Sequence, residues 1–530
     1  MSTANAISAE QQAWKPQINP WIIGVVVSLA SFMEVLDTSI ANVALPHIAG
    51  NLGASNDEST WVLTTYLVSN AIVLPISGFL VGWFGRKRFF LMCIAFFTVS
   101  SFLCGIAPSL GMLLLFRVLQ GAFGGGLQPM TQAILADSFP PEKRGLAFAL
   151  YGVTAICAPA IGPTLGGWIT DNYSWRWIFY INVPVGVLAV LLVSQLVEDP
   201  PYLSRLKDTV GKFDYIGFGL LAVGIGALQV ALDKGQEDDW FGSRFITALI
   251  IVAVVGLVAL IIWEWRHKEP IVDVRLFKMF NFASTSVMMF VLGVVMFSST
   301  VLLPQFLQTL MGYTAEKAGM VISMAAILLV FLLPLVGRLT THFQVRHLLA
   351  FGWITLAVAM YFMCKHIDLF ISFRAAAWMR IWQYLPAGFL FVPLTMAAYV
   401  GLPKEKNNAA AGLINFVRNM GQSVGTSAVT TLLARRSQYH QSVLAEHTRS
   451  PRFAAAVAGL TSRLTHVGLS LHAAQQQALA RMYSMVMAQA QALSYVEIYW
   501  LLAVTSALMF LLCFLLAKNK PGEGGNVVVH

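Results

Sequence analysis

Two acids inside one apolar run pose the first chemical question. In SFMEVLDTSIANVALP, residues 31–46, Glu34 and Asp37 stand three positions apart in a stretch that begins at Trp21 and meets no other charge before His47. A carboxylate in hydrocarbon costs about 2.5–3.5 kcal/mol on insertion scales, so an acid placed there answers to a partner or a function. The i, i+3 spacing puts both on one helix face. At 1.5 Å per residue they lie roughly 20 and 24 Å along a helix counted from Trp21, in its second half. Burial and a nearby like charge both favour the protonated carboxyl, so at least one of the two is expected to exchange a proton near neutral pH. A greasy cation would stabilise the ionised form and a proton would abolish it. The two would then compete for the same acids, which couples their movements without contact between them. Asp37 is the first candidate for that coupling acid and Glu34 the second. The alternative is a static ion pair, for which Arg418 in GLINFVRNMGQSVG (412–425) offers a cation at similar depth.

Other residues sit where an apolar segment would not need them. LLLFRVLQGAFGGG (113–126) carries Arg117 inside its span, and an intramembrane arginine requires a partner or a watery cavity. YGVTAICAPAIGPTLGGW (151–168) gathers Pro159, Gly162, Pro163, Gly166 and Gly167 within about two turns. Each proline removes a helical hydrogen bond and the glycines admit a close neighbour, as a moving gate requires. GFLVGWFGRKR (78–88) combines turn-forming Gly78 and Gly85 with Arg86 and Lys87 at a membrane interface, where a basic cluster meets anionic lipid.

The elements that must position these groups follow from composition. Of 530 residues, 57% are hydrophobic and 11% charged, with mean hydropathy +0.69; a soluble chain would carry about 25% charged residues. Apolar segments at 21–43, 61–84, 88–107, 110–135, 146–169, 176–197, 213–232, 244–265, 282–304, 318–341, 347–364, 378–400, 409–433 and 497–517 predict an all-α polytopic membrane protein of about fourteen spans, at ~20 residues each. Alternate connections hold the basic residues: Arg86–Arg88; Lys143 and Arg144; Arg205, Lys207 and Lys212; Arg266, Lys268, Arg275 and Lys278; Arg338 and Arg346; Lys404 and Lys406; Lys518 and Lys520. The positive-inside rule then puts both termini in the cytoplasm and accounts for the net charge of +9 without nucleic acid. The polar stretch 1–20 has no basic n-region or cleavage site, so the first span is expected to be retained. Five scattered cysteines without a CxxC read as packing residues. No Walker A loop, HExxH, GxSxG or metal-ligand cluster is present, which argues against an enzyme and against direct use of ATP; no cofactor or metal is expected.

The chain also contains a faint copy of itself. LPISGFLVGWFGRKRFF (74–90) and LPLVGRLTTHFQVRHLL (333–349) match Pro75 with Pro334, Gly78 with Gly337, Leu80 with Leu339 and Lys87 with Arg346. QGAFGGGLQPMTQA and YLPAGFLFVPLTMAA match Gly124 with Gly388, Pro129 with Pro393 and Thr131 with Thr395. Two parallel six-helix halves around a midplane site are the plan of a rocking transporter. The resulting organisation is a tail at 1–20, a first bundle at 21–197, an inserted pair at 213–265 set aside from the transport path, second-bundle helices at 282–433, an outer helical segment at 434–496, a last span at 497–517 and a tail at 518–530. The outer segment, rich in Ala, Gln, Met and Leu, predicts an amphipathic helix or hairpin.

With these motifs assembled, the sequence resembles the fourteen-helix drug:proton antiporter branch of the major facilitator superfamily, the EmrB type. GFLVGWFGRK resembles the superfamily's cytoplasmic loop signature, although Gly82 stands where that signature usually has an aspartate. Arg117 with QGAFGG resembles its fourth-helix signature and GPTLGG the antiporter signature. LDTSIANVALP and WRWIFYINVPVG (175–186) resemble the first-helix and sixth-helix signatures of this branch. The resemblance spans essentially the whole chain. It implies a major facilitator fold and a bacterial inner-membrane pump that exports amphipathic drugs against protons. It further implies a periplasmic membrane-fusion adaptor and an outer-membrane channel as partners; the 434–496 segment is then either a solvated cap on the outer face or the docking surface for the periplasmic partner. Phe32, Met33, Trp61, Tyr66, Gln128, Gln305, Phe306, Asn415 and Phe416 fall on spans that would face a central cavity and are the candidate substrate lining. A narrower exporter of fatty acids or other amphipathic weak acids is the alternative, in which Arg117 or Arg418 would meet the anion. A receptor without turnover is the remaining class, and it would bind ligand without proton flux.

Overall fold

The structure is a computed structural model that describes residues 16–200, 213–267, 269–448 and 450–516. Arg205, Lys207, Lys212, Lys268, Lys518 and Lys520 of the basic pattern, most of the 1–20 tail and all of the 518–530 tail lie outside the described residues.

Every regular element among the described residues is helical. The first bundle comprises α1 (Pro20–Leu52), α2 (Asn56–Phe84), α3 (Arg86–Ile106), α4 (Leu110–Gly124), α5 (Leu127–Ser138), α6 (Arg144–Asn172), α7 (Trp177–Tyr180) and α8 (Asn182–Leu196). The inserted pair is α9 (Tyr215–Lys234) and α10 (Arg244–Arg266). The second bundle comprises α11 (Phe280–Thr309), α12 (Ala315–Leu339), α13 (Val345–His366), α14 (Phe373–Ala398), α15 (Asn407–His447), α16 (Pro451–His466) and α17 (Leu471–Leu512). Thirteen spans among these are long and apolar enough to cross a membrane, with α4 and α5 forming one of them. The segment expected to span at 409–433 is helical too, within α15, but Asn415, Arg418, Asn419 and Gln422 keep its hydropathy below that mark. α15 tolerates them because it is packed inside the molecule, against α2, α5, α11 and α17.

Polar caps set where the helices begin. The starts of α2, α4, α10, α12 and α14 are each capped by a hydroxyl side chain, from Ser55, Ser109, Ser243, Thr314 and Ser372. Each satisfies a backbone N–H that no earlier turn can reach. The other end of the molecule carries the connections with Arg86–Arg88, Lys143, Arg338 and Lys406, and is called the basic end below.

At the basic end the bundles meet backbone to backbone. A methyl group on Gly78 of α2 would stand 2.6 Å from the Ala409 Cα of α15, and one on Gly337 of α12 would stand 2.7 Å from the Gly145 carbonyl oxygen of α6. Gly78 and Gly337, matched in the internal repeat, thus make equivalent crossings between the bundles. The inserted pair is fastened to both bundles. Lys234 donates to the Asp57 carbonyl on α2 at 3.2 Å, and Gln229 donates to Ser423 on α15 at 3.0 Å. The 434–496 segment consists of long projections of α15 and α17, with α16 packed on α17 through Leu464, Ala474 and Ala478.

Candidate functional site

The two acids of α1 occupy different surroundings. Asp37, 2% exposed, accepts from Arg117 Nη1 at 2.6 Å through Oδ2. Its Oδ1 accepts from Gln120 Nε2 at 2.9 Å and from Asn182 Nδ2 at 2.7 Å. Arg117 is fully buried; it also donates to Gln120 Oε1 at 2.7 Å and, through Nε, to the Val62 carbonyl at 3.1 Å. Its guanidinium lies 4.3 Å from the centre of the Tyr66 ring. The i, i+3 spacing of Arg117 and Gln120 places both on one face of α4. Gly121 lets that helix close on α2, since a methyl there would meet the Tyr66 carbonyl oxygen at 2.3 Å. Asp37 is therefore neutralised inside the first bundle by Arg117, and Arg418 is not its partner.

Glu34, 3% exposed, has only neutral donors. Oε1 accepts from Tyr66 Oη and Asn70 Nδ2, both at 3.1 Å, and Oε2 accepts from Gln128 Nε2 at 2.7 Å. No basic side chain among the described residues comes within ion-pair distance of it. The nearest cation in the network is one link away: Arg418 of α15 donates to Gln128 Oε1 and, at 3.4 Å, to Tyr151 Oη. Asn415, one turn earlier on α15, donates to Gln132 Oε1 at 2.9 Å and faces Tyr151 Oη at 3.2 Å. Glu34 thus ends a polar chain that crosses from α1 through α5 and α6 to the second bundle.

The proline-glycine stretch lies in α6, which stays helical through Pro159 and Pro163. Pro163 has no N–H for the Pro159 carbonyl, and the Ser39 hydroxyl of α1 donates to that oxygen at 3.0 Å instead. Gly162 admits this contact, because a methyl there would overlap Ser39 Oγ at 2.3 Å, and Gly166 lies against Ile40 in the same way. Gly167 stands clear, since a methyl there would come no nearer than 4.0 Å to Val43 of α1.

At the basic end Gly85 holds φ +84° between α2 and α3, a conformation side chains disfavour. Arg86, 1% exposed, pairs with Asp137 of α5 at 2.5 Å, and Asn407 of α15 donates to the same carboxylate at 3.1 Å. A latch across the bundles, the neutral Asn407 amide on the Arg86-paired Asp137 carboxylate, therefore exists although Gly82 stands where the signature has an aspartate. The Lys87 backbone N–H donates to Asp199 at 2.9 Å.

Of the expected lining, the structure gathers Tyr66, Gln128 and Asn415 around Glu34 and Arg418. Met33 is buried in the main core and Phe416 packs at its edge, while Phe32 packs on a smaller core cluster with residues such as Leu36 and Ile40. Trp61 faces Lys234 of the inserted pair at 5.7 Å, and Phe306 packs edge-on against Tyr495 at 5.1 Å. Gln305 has a buried Oε1 without a partner. Gln120, Asn70, Tyr151, Gln132, Asp137 and Asn182 were not singled out from sequence. Asn182 lies within the quoted WRWIFYINVPVG and Gln120 within LLLFRVLQGAFGGG, so polar residues inside apolar motifs were the available signal.

Removing one member of the buried pair leaves the other charge unmatched, at a cost of about 3–5 kcal/mol. Arg117→Gln is expected to lower the melting temperature of the purified protein strongly, and Arg117→Gln combined with Asp37→Asn to recover part of that loss. Equal additive losses in a double-mutant cycle would contradict the pairing.

Residues 27–426 match the family model of the Major Facilitator Superfamily. The chain is 40% identical over 505 residues to the multidrug export protein EmrB of Escherichia coli K12, covering 95% of this chain and 96% of that protein. It is 42% identical over 422 residues to the fatty acid resistance protein FarB of Neisseria gonorrhoeae, covering 79% and 82% respectively. Among solved structures, the proton:xylose symporter XylE superposes with TM-score 0.59 at 13% identity, over 95% of this chain and 97% of that one, a likeness of fold. The chain belongs to the Major Facilitator Superfamily, as a multi-pass membrane transporter of the EmrB type.

Proposed function

We propose that this transporter is a proton-driven exporter of amphipathic drugs, lipophilic cations above all, with Glu34 as the acid whose proton is exchanged. The observation that carries the reading is the division between the two acids. Asp37 is matched by Arg117 and held by two amides, so its charge has no need of a solute. Glu34 is held by neutral donors only, which leaves its negative charge to be balanced by a proton or by a cationic substrate. Asp37 then acts as a positioning residue, fixing α1 so that Glu34 faces Gln128. The curated relatives named for multidrug export and for fatty acid resistance support export of greasy solutes.

The cycle is alternating access, and the gradients suffice. One pH unit supplies about 1.4 kcal/mol per proton, and a membrane potential of 100 mV supplies about 2.3 kcal/mol per net charge moved. For one proton exchanged, the two together support an outward gradient of several hundred-fold for a neutral solute, whereas one-for-one exchange of a monovalent cation moves no net charge and draws on the pH gradient alone, about tenfold per unit. With the basic end in the cytoplasm of a cell bounded by an inner membrane, the contacts at Gly78, Gly145 and Asp137 close the cytoplasmic side, and both termini face inward. The projecting α15–α16–α17 segment, with Leu471 and Tyr483 exposed, is the surface offered to a periplasmic adaptor of a tripartite pump. Deleting residues 434–496 should abolish adaptor pull-down while leaving membrane insertion intact; adaptor retained by the deletion variant would remove that role.

In proteoliposomes with an imposed pH gradient, the parent should accumulate a fluorescent lipophilic cation and Glu34→Gln should not. Equilibrium affinity for the cation should tighten as pH rises, by at most tenfold per unit, because the proton is the competitor. Gradient-driven accumulation by Glu34→Gln at the parent rate would overturn the assignment.

A further inference from the structure

We propose that the second bundle contains a monovalent-anion site at Arg380, suited to the carboxylate head of a lipophilic amphiphile. Arg380 is fully buried on α14, and every partner it has is neutral. Nη1 donates to the Ser299 carbonyl at 3.2 Å and to Gln383 Oε1 at 2.5 Å, and Nη2 donates to Thr300 Oγ1 at 3.0 Å. The guanidinium lies 4.0 Å from the centre of the Tyr384 ring. Nε has no partner, and no carboxylate among the described residues is within ion-pair distance. A cation taken out of water without an anion is strongly disfavoured.

The first bundle shows what is missing. Ser109 caps α4, and Arg117 and Gln120 follow eight and eleven residues later; Ser372 caps α14, and Arg380 and Gln383 follow at the same two spacings. Both arginines bond the glutamine one turn on, and both carry an aromatic ring against the guanidinium. The difference is the group that the first helix of each bundle presents. α1 presents the Asp37 carboxylate to Arg117, whereas α11 presents the Thr300 hydroxyl to Arg380. The repeat has kept the cation and lost the internal anion, so an external anion completes the site. The planar guanidinium matches a carboxylate through its Nε–H edge. Met360, whose sulfur lies 3.8 Å from Gln383 Nε2, and the neighbouring Tyr384 supply an apolar surround that a hydrocarbon tail would share.

The inference is independent of proton exchange at Glu34, and its test uses equilibrium binding without a gradient. Calorimetric titration of the full-length protein, purified in chloride-free buffer, would use decanoate, chloride and decyltrimethylammonium as separate probes. Decanoate should bind the parent, and Arg380→Gln should weaken it at least tenfold while leaving the decyltrimethylammonium affinity unchanged. Thr300→Asp supplies the internal carboxylate that the site lacks. It should abolish decanoate binding and raise the melting temperature, which separates loss of the site from loss of the fold. Chloride that binds and displaces decanoate would mark the site as open to halide as well as carboxylate; chloride without effect would assign it to carboxylates. Failure of both anions to bind the parent, or decanoate binding indifferent to Arg380→Gln and Thr300→Asp, would overturn the proposal.

Discussion

The constraint on which the rest depends is that a charge inside this membrane fold must be met. The Arg117–Asp37 pair meets it within the first bundle. With Gln120, Asn182 and the Val62 carbonyl it ties α1, α2, α4 and α8 into one unit. That unit fixes α1, and because Glu34 lies one turn before Asp37, it also fixes where the second acid points. A structural ion pair and a solute-responsive carboxylate can therefore share one helix face without sharing a role. Partners decide the division. Glu34 has only neutral donors, whereas Asp37 already has its cation.

The bundles share a boundary of close backbone crossings at the basic end. Gly78 against Ala409 and Gly337 against Gly145 bring backbones together at the basic end, with little side chain to repack when they part. The Asp137–Asn407 contact and the Gln128–Arg418 contact cross the same boundary. A single glutamine, Gln128, links Glu34 to that boundary. Within each bundle, close crossings such as Gly162 on Ser39 also relieve defects that the sequence introduces. The Pro159 carbonyl, released by Pro163, is satisfied by the Ser39 hydroxyl rather than left bare in hydrocarbon.

Much of this was legible in the sequence, for identifiable reasons. The helices announce themselves because hydrocarbon demands long apolar runs, and the signatures around Arg117, Pro159 and Gly85 mark points where backbones cross or charges are buried. α15 was legible as a helix at 409–433 but not as one reaching His447, since its projection is polar and carries no hydropathy signal. Partners were the harder part. Asp37 meets Arg117, a cation 80 residues away, whereas the sequence pattern pointed to Arg418 at similar depth. The latch on Asp137 was hidden because the expected aspartate is Gly82 and the substitute lies on another helix. The paired Ser–Arg–Gln spacing at 109–120 and 372–383 was present in the sequence, but its asymmetry emerges only from the partners, a carboxylate for Arg117 and the Thr300 hydroxyl for Arg380.

Glu34 is proposed to carry the proton that a cationic substrate displaces. Infrared difference spectroscopy of the purified protein, recorded on adding a lipophilic cation near neutral pH, tests it at the atom concerned. The cation should remove a protonated carboxyl C=O band and add carboxylate absorption. Both changes should be absent in Glu34→Gln and retained in Asp37→Asn that remains folded. A band that persists in Glu34→Gln and vanishes in Asp37→Asn would contradict the account and return the exchanging proton to Asp37.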